Sequence, residues 1–249
     1  ARYLEKMAQA TNRWGELINT ANAWLPEQTD NKTKIQLCLR LGKWYGEDLG
    51  KPEYAQPYYA QIVALDPNNV QVLRQMAAIH RKGAAWQKVG ETLQRALDVA
   101  GANDDRKAIL FDLGDLLHKH MNQPDQGLAY YRRALEVDPH YLPPLGALEQ
   151  IYDESKNYPE LVKILASKVA GLHNAEEVAS TKLRMAGLYE QQVGDFDRAG
   201  KVYREVLELD GSNILALRGL ERVYQTLQDW PDLVAILERQ LDVVETERE

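Results

Sequence analysis

Two histidines lie close together in the chain, and histidine is the side chain that most often binds a metal or transfers a proton near neutral pH. His118 and His120 are two positions apart in a segment with helical periodicity. Residues at that spacing point to different faces of a helix. Zinc-binding helices instead place two histidines four apart with a glutamate between them, and that motif is absent. We therefore interpret both histidines as solvated surface residues and predict no metal site.

Nucleophilic and acid–base chemistry have equally few candidates. Cys38 is the single cysteine, which excludes an internal disulfide or a cysteine-based zinc site, and Leu110 holds its place one repeat later. We expect Cys38 to be a small core residue. Asp112 and Asp115 are one helical turn apart, but with no sign of a pocket we interpret them as surface charge. The sequence has no Gly-x-Ser-x-Gly elbow, phosphate loop or dinucleotide fingerprint, so we predict a non-enzyme without a cofactor.

The overall composition disfavours other classes of protein. The net charge is −7 and no lysine- or arginine-rich run occurs, whereas nucleic-acid binding needs a basic surface. We therefore predict no nucleic-acid partner, and a helical-repeat RNA binder is disfavoured on the same ground. No apolar stretch approaches the ~20 residues that span a bilayer, so we predict no direct membrane insertion. A lone cysteine fits a cytoplasmic setting and is also compatible with the periplasm.

Helices must position all of these residues. Apolar side chains recur at steps of three and four, as in 198–210, and prolines stand in first turns or directly after helices. The pattern predicts seven antiparallel hairpins with short turns. Their helices are expected near 3–11, 14–25, 34–48, 53–65, 70–82, 86–99, 105–120, 125–137, 141–154, 158–171, 176–192, 196–209, 213–226 and 230–245.

An internal repeat of 72 residues organises these helices. The pair Asp66-Pro67 recurs as Asp138-Pro139 and then as Asp210-Gly211. An aromatic residue keeps the same interval at Trp14, Trp86, Tyr158 and Trp230, and we interpret it as a packing residue rather than part of an aromatic cage. No linker is visible, so we predict one continuous array over 1–249. Its copies are expected at about 35–106, 107–178 and 179–249, with a partial copy at 1–34, and we expect the chain to be a fragment of a longer protein.

The half-units carry a recognisable residue pattern. It reads Leu41-Gly42, Tyr45, Gly50, Ala55, Tyr59, Ile62 and Asp66-Pro67 in one copy; Leu113-Gly114, Gly127, Tyr131, Ala134 and Asp138-Pro139 in the next; and Met185-Ala186-Gly187-Leu188-Tyr189, Gly194-Asp195-Phe196, Ala199, Tyr203, Val206 and Asp210 in the third. The pattern resembles the tetratricopeptide repeat, which pairs two helices over roughly 34 residues. These copies have one extra residue before the second helix. Alternate half-units carry larger residues at the helix contact, so we expect tight and loose hairpins to alternate.

The resemblance implies an all-α solenoid forming a right-handed superhelix that binds a protein or peptide partner as a scaffold or adaptor. Arrays of this kind serve bacterial secretion, pilus, motility and polarity complexes, and others are small-GTPase effectors. A targeting or regulatory module of a larger enzyme is the alternative. Self-association is left open.

The resemblance also places the partner in the groove lined by the first helix of each hairpin. Carried over by position, the groove residues form a basic, an acidic and a second basic patch, although ordinary mixed surface charge is the alternative. They are Gln36, Arg40, Lys43, Arg74, Arg81 and Lys82; Asp112, Asp115, Asp153 and Glu154; and Arg184, Arg218 and Arg222. The family's clamp for a C-terminal carboxylate is not reproduced, because its places hold Leu39, Lys43, Gln71 and Gln75, and Arg74 is out of register.

Overall fold

A computed structural model describes residues 2–246, which form an all-α array. The helices are α1 (Arg2–Thr11), α2 (Trp14–Trp24), α3 (Asn31–Lys43), α4 (Gln56–Leu65), α5 (Val70–Lys82), α6 (Trp86–Val99), α7 (Asn103–Lys119), α8 (Pro124–Val137), α9 (Leu142–Glu154), α10 (Tyr158–Gly171), α11 (Ala175–Leu188), α12 (Phe196–Leu209), α13 (Ile214–Leu227) and α14 (Trp230–Thr246). Each predicted helix is confirmed, and consecutive helices pack together from α1 to α7 and from α9 to α14. In unit 1, α7 also contacts α8 through Gly114 and Gly127. None in the described part is long and apolar enough to cross a bilayer.

The helices fall into two compact units, unit 1 at residues 1–133 and unit 2 at 134–249, whose boundary lies within α8. Residue 1 and residues 247–249 of the predicted array lie outside the described residues. The single continuous array and the bounds of its copies stay predictions.

Every hairpin turn uses one residue in the left-handed backbone region. The turns that join α3 to α4, α7 to α8 and α11 to α12 use Gly50, Asn122 and Gly194, with φ of 63°, 53° and 75°. The alternate turns use Asn12, Ala84, Lys156 and Gln228, with φ between 51° and 57°. Both series keep the 72-residue interval. Glycine and asparagine adopt this conformation readily, whereas alanine, lysine and glutamine are strained there.

The repeated aspartate organises the turn that follows each second helix. The Asp210 carboxylate accepts hydrogen bonds from the Ser212 amide and hydroxyl and from the Asn213 side chain. Asp138 accepts from the His140 amide at 3.1 Å. Asn213 then caps the next helix by accepting from the Ala216 amide, which satisfies a donor that the first helical turn leaves free. The repeated aspartate is therefore explained by the turn it builds.

A buried tyrosine marks the core of each copy. Tyr59, Tyr131 and Tyr203 are at most 7% exposed. In unit 1 the first two lie against glycines of the preceding helix, Gly42 and Gly114, so closely that a methyl group at either glycine would collide with the ring. These contacts fit the tight hairpins that small residues predict, while the alternation with looser hairpins stays a prediction.

Two π-helical turns absorb the extra residue seen in the sequence pattern. They span Trp44–Asp48 after α3 and Tyr189–Val193 after α11. A π turn holds one more residue per turn than an α-helix, so the extra residue enters without breaking the hairpin. In the middle copy α7 continues to Lys119, and the Met121 amide donates to the Leu116 carbonyl five residues earlier, as the Leu49 amide donates to the Trp44 carbonyl in the first copy.

The two histidines are not alike. His118 is half-buried, with its Cβ side against Gly127 of α8 and its ring near Tyr131, so the prediction that it is solvated is wrong. The tight approach of α7 and α8 causes this burial. His120 is exposed but stacks on Trp86, with ring centroids 3.8 Å apart and planes within 10°. The described residues contain no group of three metal-ligating side chains, and Cys38 is buried as predicted.

Candidate functional site

All of the predicted groove residues lie on first helices of the hairpins. These helices are α3, α5, α7, α9, α11 and α13, and we call their shared side in each unit the first-helix face. On this face the structure brings many of the predicted charges into contact with each other or with carboxylates that the sequence did not single out.

In unit 1 the Asp112 carboxylate lies between two arginines of α5. Arg81 Nη2 is 3.4 Å from Asp112 Oδ1, and Arg74 Nη2 is 3.9 Å from Oδ2. Arg74 Nη1 also lies 3.6 Å from Asp105 Oδ1. Burial raises the pKa of Asp112 above its ordinary value despite both arginines, since desolvation penalises the charged form. The predicted basic and acidic residues therefore meet here in one cluster that links α5 to α7.

In unit 2 a matching cluster links α9 to α11. Arg184 bonds the Glu149 carboxylate and, through Nη2, the Asp153 carboxylate at 3.0 Å. Glu149, whose side chain is only 14% exposed, also accepts from Lys168 Nζ at 2.7 Å. Glu149 was not singled out from the sequence. Its structural role is to hold two cations in this cluster.

The two clusters use equivalent repeat positions with the charges exchanged. Arg81 and Asp112 lie 72 residues before Asp153 and Arg184, respectively. The pair is basic then acidic in unit 1, and acidic then basic in unit 2. Because attraction depends only on opposite sign, either order holds neighbouring first helices together. The order also distinguishes one junction from the other.

A third charged group joins the π turn after α11 to α13. Arg222 bonds both oxygens of Glu190, with Nε 2.5 Å from Oε1 and Nη2 2.9 Å from Oε2. The Tyr203 hydroxyl donates to Glu190 Oε2 at 2.7 Å. Burial would raise the pKa of Glu190, but these hydrogen bonds outweigh it and hold the pKa below its ordinary value. Burial, followed by the bond to Glu190, raises the pKa of Tyr203.

Other predicted residues remain outside these clusters. The Lys119 ammonium lies 2.5 Å from the Asp115 carboxylate. Burial of Tyr131, together with the negative charge of Asp115, raises the pKa of Tyr131 to about 12. Lys43 is exposed, 3.9 Å from Glu47, and Glu154 accepts from Gln150. Within the part of the chain that the structure describes, three exposed cations of the set have no ion-pair partner: Arg40, Lys82 and Arg218. The neutral Gln36 is also exposed.

The three predicted charge patches are therefore partly neutralised within the chain. Asp112 and Asp153, half of the acidic patch, bond to arginines assigned to the basic patches. Sequence reasoning missed Asp105, Glu149 and Glu190 as their partners. The sequence did contain a signal for these pairs. Residues of opposite charge lie roughly one hairpin apart in the chain, and the repeat places such residues on neighbouring first helices.

The repeated aromatic position does not have one common environment. Trp14 is buried and packs against Trp44, with ring centroids 6.3 Å apart. Trp86 is half-buried on His120, and Tyr158 is half-buried as well. Trp230 is 59% exposed, so within the described residues the packing interpretation is wrong for Trp230.

Comparison with known families and proteins gives three kinds of match. Two models described as "Tetratricopeptide repeat" match residues 183–213 and 216–249, and 108–141. Superkiller protein 3 of Schizosaccharomyces pombe is 25% identical over 228 residues, which cover 85% of this chain but only 15% of that protein. This chain thus spans a small part of that relative's length.

Several solved structures are similar at low sequence identity. YrrB, described as a TPR protein with an unusual peptide-binding site, is 16% identical, with coverage of 80% of this chain and 97% of that chain and a TM-score of 0.49. PilF of Pseudomonas aeruginosa is 14% identical, with coverage of 88% and 98% and a TM-score of 0.49. The Cut9–Hcn1 complex of the APC/C is 13% identical, with coverage of 95% and 44% and a TM-score of 0.47.

Proposed function

We propose that this chain, which belongs to the tetratricopeptide repeat family, is a protein-interaction scaffold that holds an acidic segment of a partner on the first-helix face. Proteins of this family generally act as protein-interaction scaffolds. The finer claim, that the partner lies on this face and is acidic, rests on the charges that remain after the internal ion pairs are formed.

The observation that carries the proposal is the set of exposed first-helix cations without a carboxylate partner. Arg40 and Lys82 belong to unit 1, and Arg218 belongs to unit 2. Four other arginines of this face already form ion pairs with carboxylates of the chain: Arg74, Arg81, Arg184 and Arg222. A partner that brings its own carboxylates gains attraction to the unpaired cations, and such charges mainly set association rate and specificity.

The experiment reverses only these unpaired cations. Arg40→Glu with Lys82→Glu tests unit 1, and Arg218→Glu tests unit 2. Arg74 and Arg222 are unsuitable, because reversing either would place like charges together and destabilise the helix pairs. The matched control is Arg95→Glu with Lys201→Glu, which makes the same change at exposed residues of the second helices α6 and α12.

Partners would first be identified by crosslinking, capture and mass spectrometry with the wild-type chain. Binding of the purified partner would then be followed by biolayer interferometry at low and high salt. We expect first-helix reversals to lower the association rate about tenfold at low salt, with a smaller effect at high salt. The control should stay within about twofold, and circular dichroism should show unchanged helicity. Equal losses in both sets, or none in the first, would reject this face.

A further inference from the structure

Unit 1 contains a small cavity on the first-helix face, between the π turn after α3 and the helix α5. Its volume is about 120 Å³, which is enough to hold water. Gly46, Gln75, Ala78 and Lys82 line it, together with the core residue Tyr59. Two of these positions carry almost no side chain, and Tyr59 is 7% exposed.

The same place in unit 2 is filled by the chain itself. Gly46, Tyr59 and Ala78 correspond, two repeats later, to Glu190, Tyr203 and Arg222. There the Tyr203 hydroxyl donates to the Glu190 carboxylate, which Arg222 also binds. In unit 1 the glycine and alanine provide no such groups, and the Tyr59 hydroxyl has no hydrogen-bond partner among the described residues.

We propose that this cavity receives a glutamate side chain of the bound partner, whose carboxylate takes the place that Glu190 holds in unit 2. The inference rests on the proposed function and names the group that is recognised. Tyr59, Gln75 and Lys82, which line the cavity, each carry a hydrogen-bond donor. Glu47 also lines the cavity, and its exposed carboxylate lies 3.9 Å from the Lys43 ammonium. Solvent and Lys43 both weaken the repulsion between Glu47 and a bound carboxylate.

A carboxylate suits this cavity better than a neutral group for a physical reason. A hydrogen bond from a hydroxyl to a carboxylate is short and strong. The neighbouring donors supply further bonds, as Arg222 does in unit 2.

The first test uses a capped amino acid as the probe. N-acetyl-glutamate N-methylamide would be titrated into isotope-labelled protein and followed by NMR. We expect saturable shifts of the Gly46 backbone amide and the Gln75 side-chain amide, with affinity at least about tenfold higher than for the glutamine analogue. Scattered shifts, or equal affinity for both probes, would overturn the proposal. N-acetyl-alanine with a free carboxyl group binding as well as the glutamate probe would also reject a side-chain site.

The second test refills the cavity from within. Gly46→Glu with Ala78→Arg rebuilds the groups of unit 2, and a side chain fits at Gly46 because nothing lies within 4 Å of the added Cβ. This variant should stay folded, lose the glutamate shifts and lose about tenfold in partner affinity. Tyr59→Phe keeps the ring and should weaken the probe about tenfold. A refilled variant that binds the probe like wild type contradicts the proposal.

The outcomes separate this inference from the proposed function. A partner that depends on Arg40 and Arg218 but not on the refilled cavity would leave the scaffold function standing and reject the glutamate site. A probe that binds as expected while no partner responds to charge reversal on either unit would reject the acidic-partner proposal instead.

Discussion

The approach of α7 to α8 at Gly114 gives the sharpest stability prediction. A methyl group on Gly114 would lie 2.7 Å from Cδ1 and Cε1 of Tyr131 and 3.1 Å from the Gly127 carbonyl oxygen. Tyr131 is 0% exposed, so its ring has little room to move away. Gly114→Ala therefore forces the two helices apart or displaces a core tyrosine.

The size of the effect follows from two opposing contributions. Alanine is favoured over glycine inside a helix by roughly 0.5–1 kcal/mol. Overpacking a core contact costs roughly 1–3 kcal/mol. We expect Gly114→Ala to lower the free energy of unfolding by about 1–2 kcal/mol. The matched control is Gly146→Ala in α9, where nothing lies within 4 Å of the new methyl group, so it should stabilise by roughly 0.4–1 kcal/mol.

Urea unfolding followed by circular dichroism would measure both variants. Because repeat arrays unfold partly as independent segments, hydrogen exchange of α7 and α8 amides would show whether the loss is local. The packing argument fails if Gly114→Ala is as stable as wild type, or if the two variants change stability equally.

Three further predictions concern charge and turns. Burial raises the pKa of Glu190, but its hydrogen bonds lower the pKa by more, so the net shift is downward. Glu190→Gln should therefore lower the free energy of unfolding by roughly 1–3 kcal/mol at pH 7. That difference should shrink in urea melts as the pH falls from about 5 through the lowered pKa, and a pH-independent gap would contradict it. The coupling of Arg184 to Asp153, both well exposed, should be below about 1 kcal/mol in a double-mutant cycle and should weaken in 1 M salt. Ala84→Gly should raise the thermal midpoint, stabilising by about 0.5–1 kcal/mol because it relieves a φ of 51°; no gain would mean that the turn is unstrained.

Part of the site was predictable and part was not. The repeat predicted that Arg74, Arg184 and Arg222 lie on first helices, because a residue's position within the 72-residue repeat fixes its helix and the face of that helix. Their pairing did not follow. Each arginine has several carboxylates about thirty residues away in sequence, and it pairs with the one that lies closest in space. The distance between the two charged groups depends on how their helices pack together.

The amino-acid sequence by itself determined the helices, the hairpins and the repeated positions of the tyrosines. Helical periodicity, proline positions and the Asp-Pro turns are local signals, and the 72-residue interval repeats them. Only the tertiary structure decided that the π turns absorb the extra residue, that Arg81 and Asp153 belong to pairs of opposite order, and that the place of Glu190 is empty beside Gly46. These features depend on side chains from different helices meeting in space, and a residue's own neighbours in the chain do not encode that meeting.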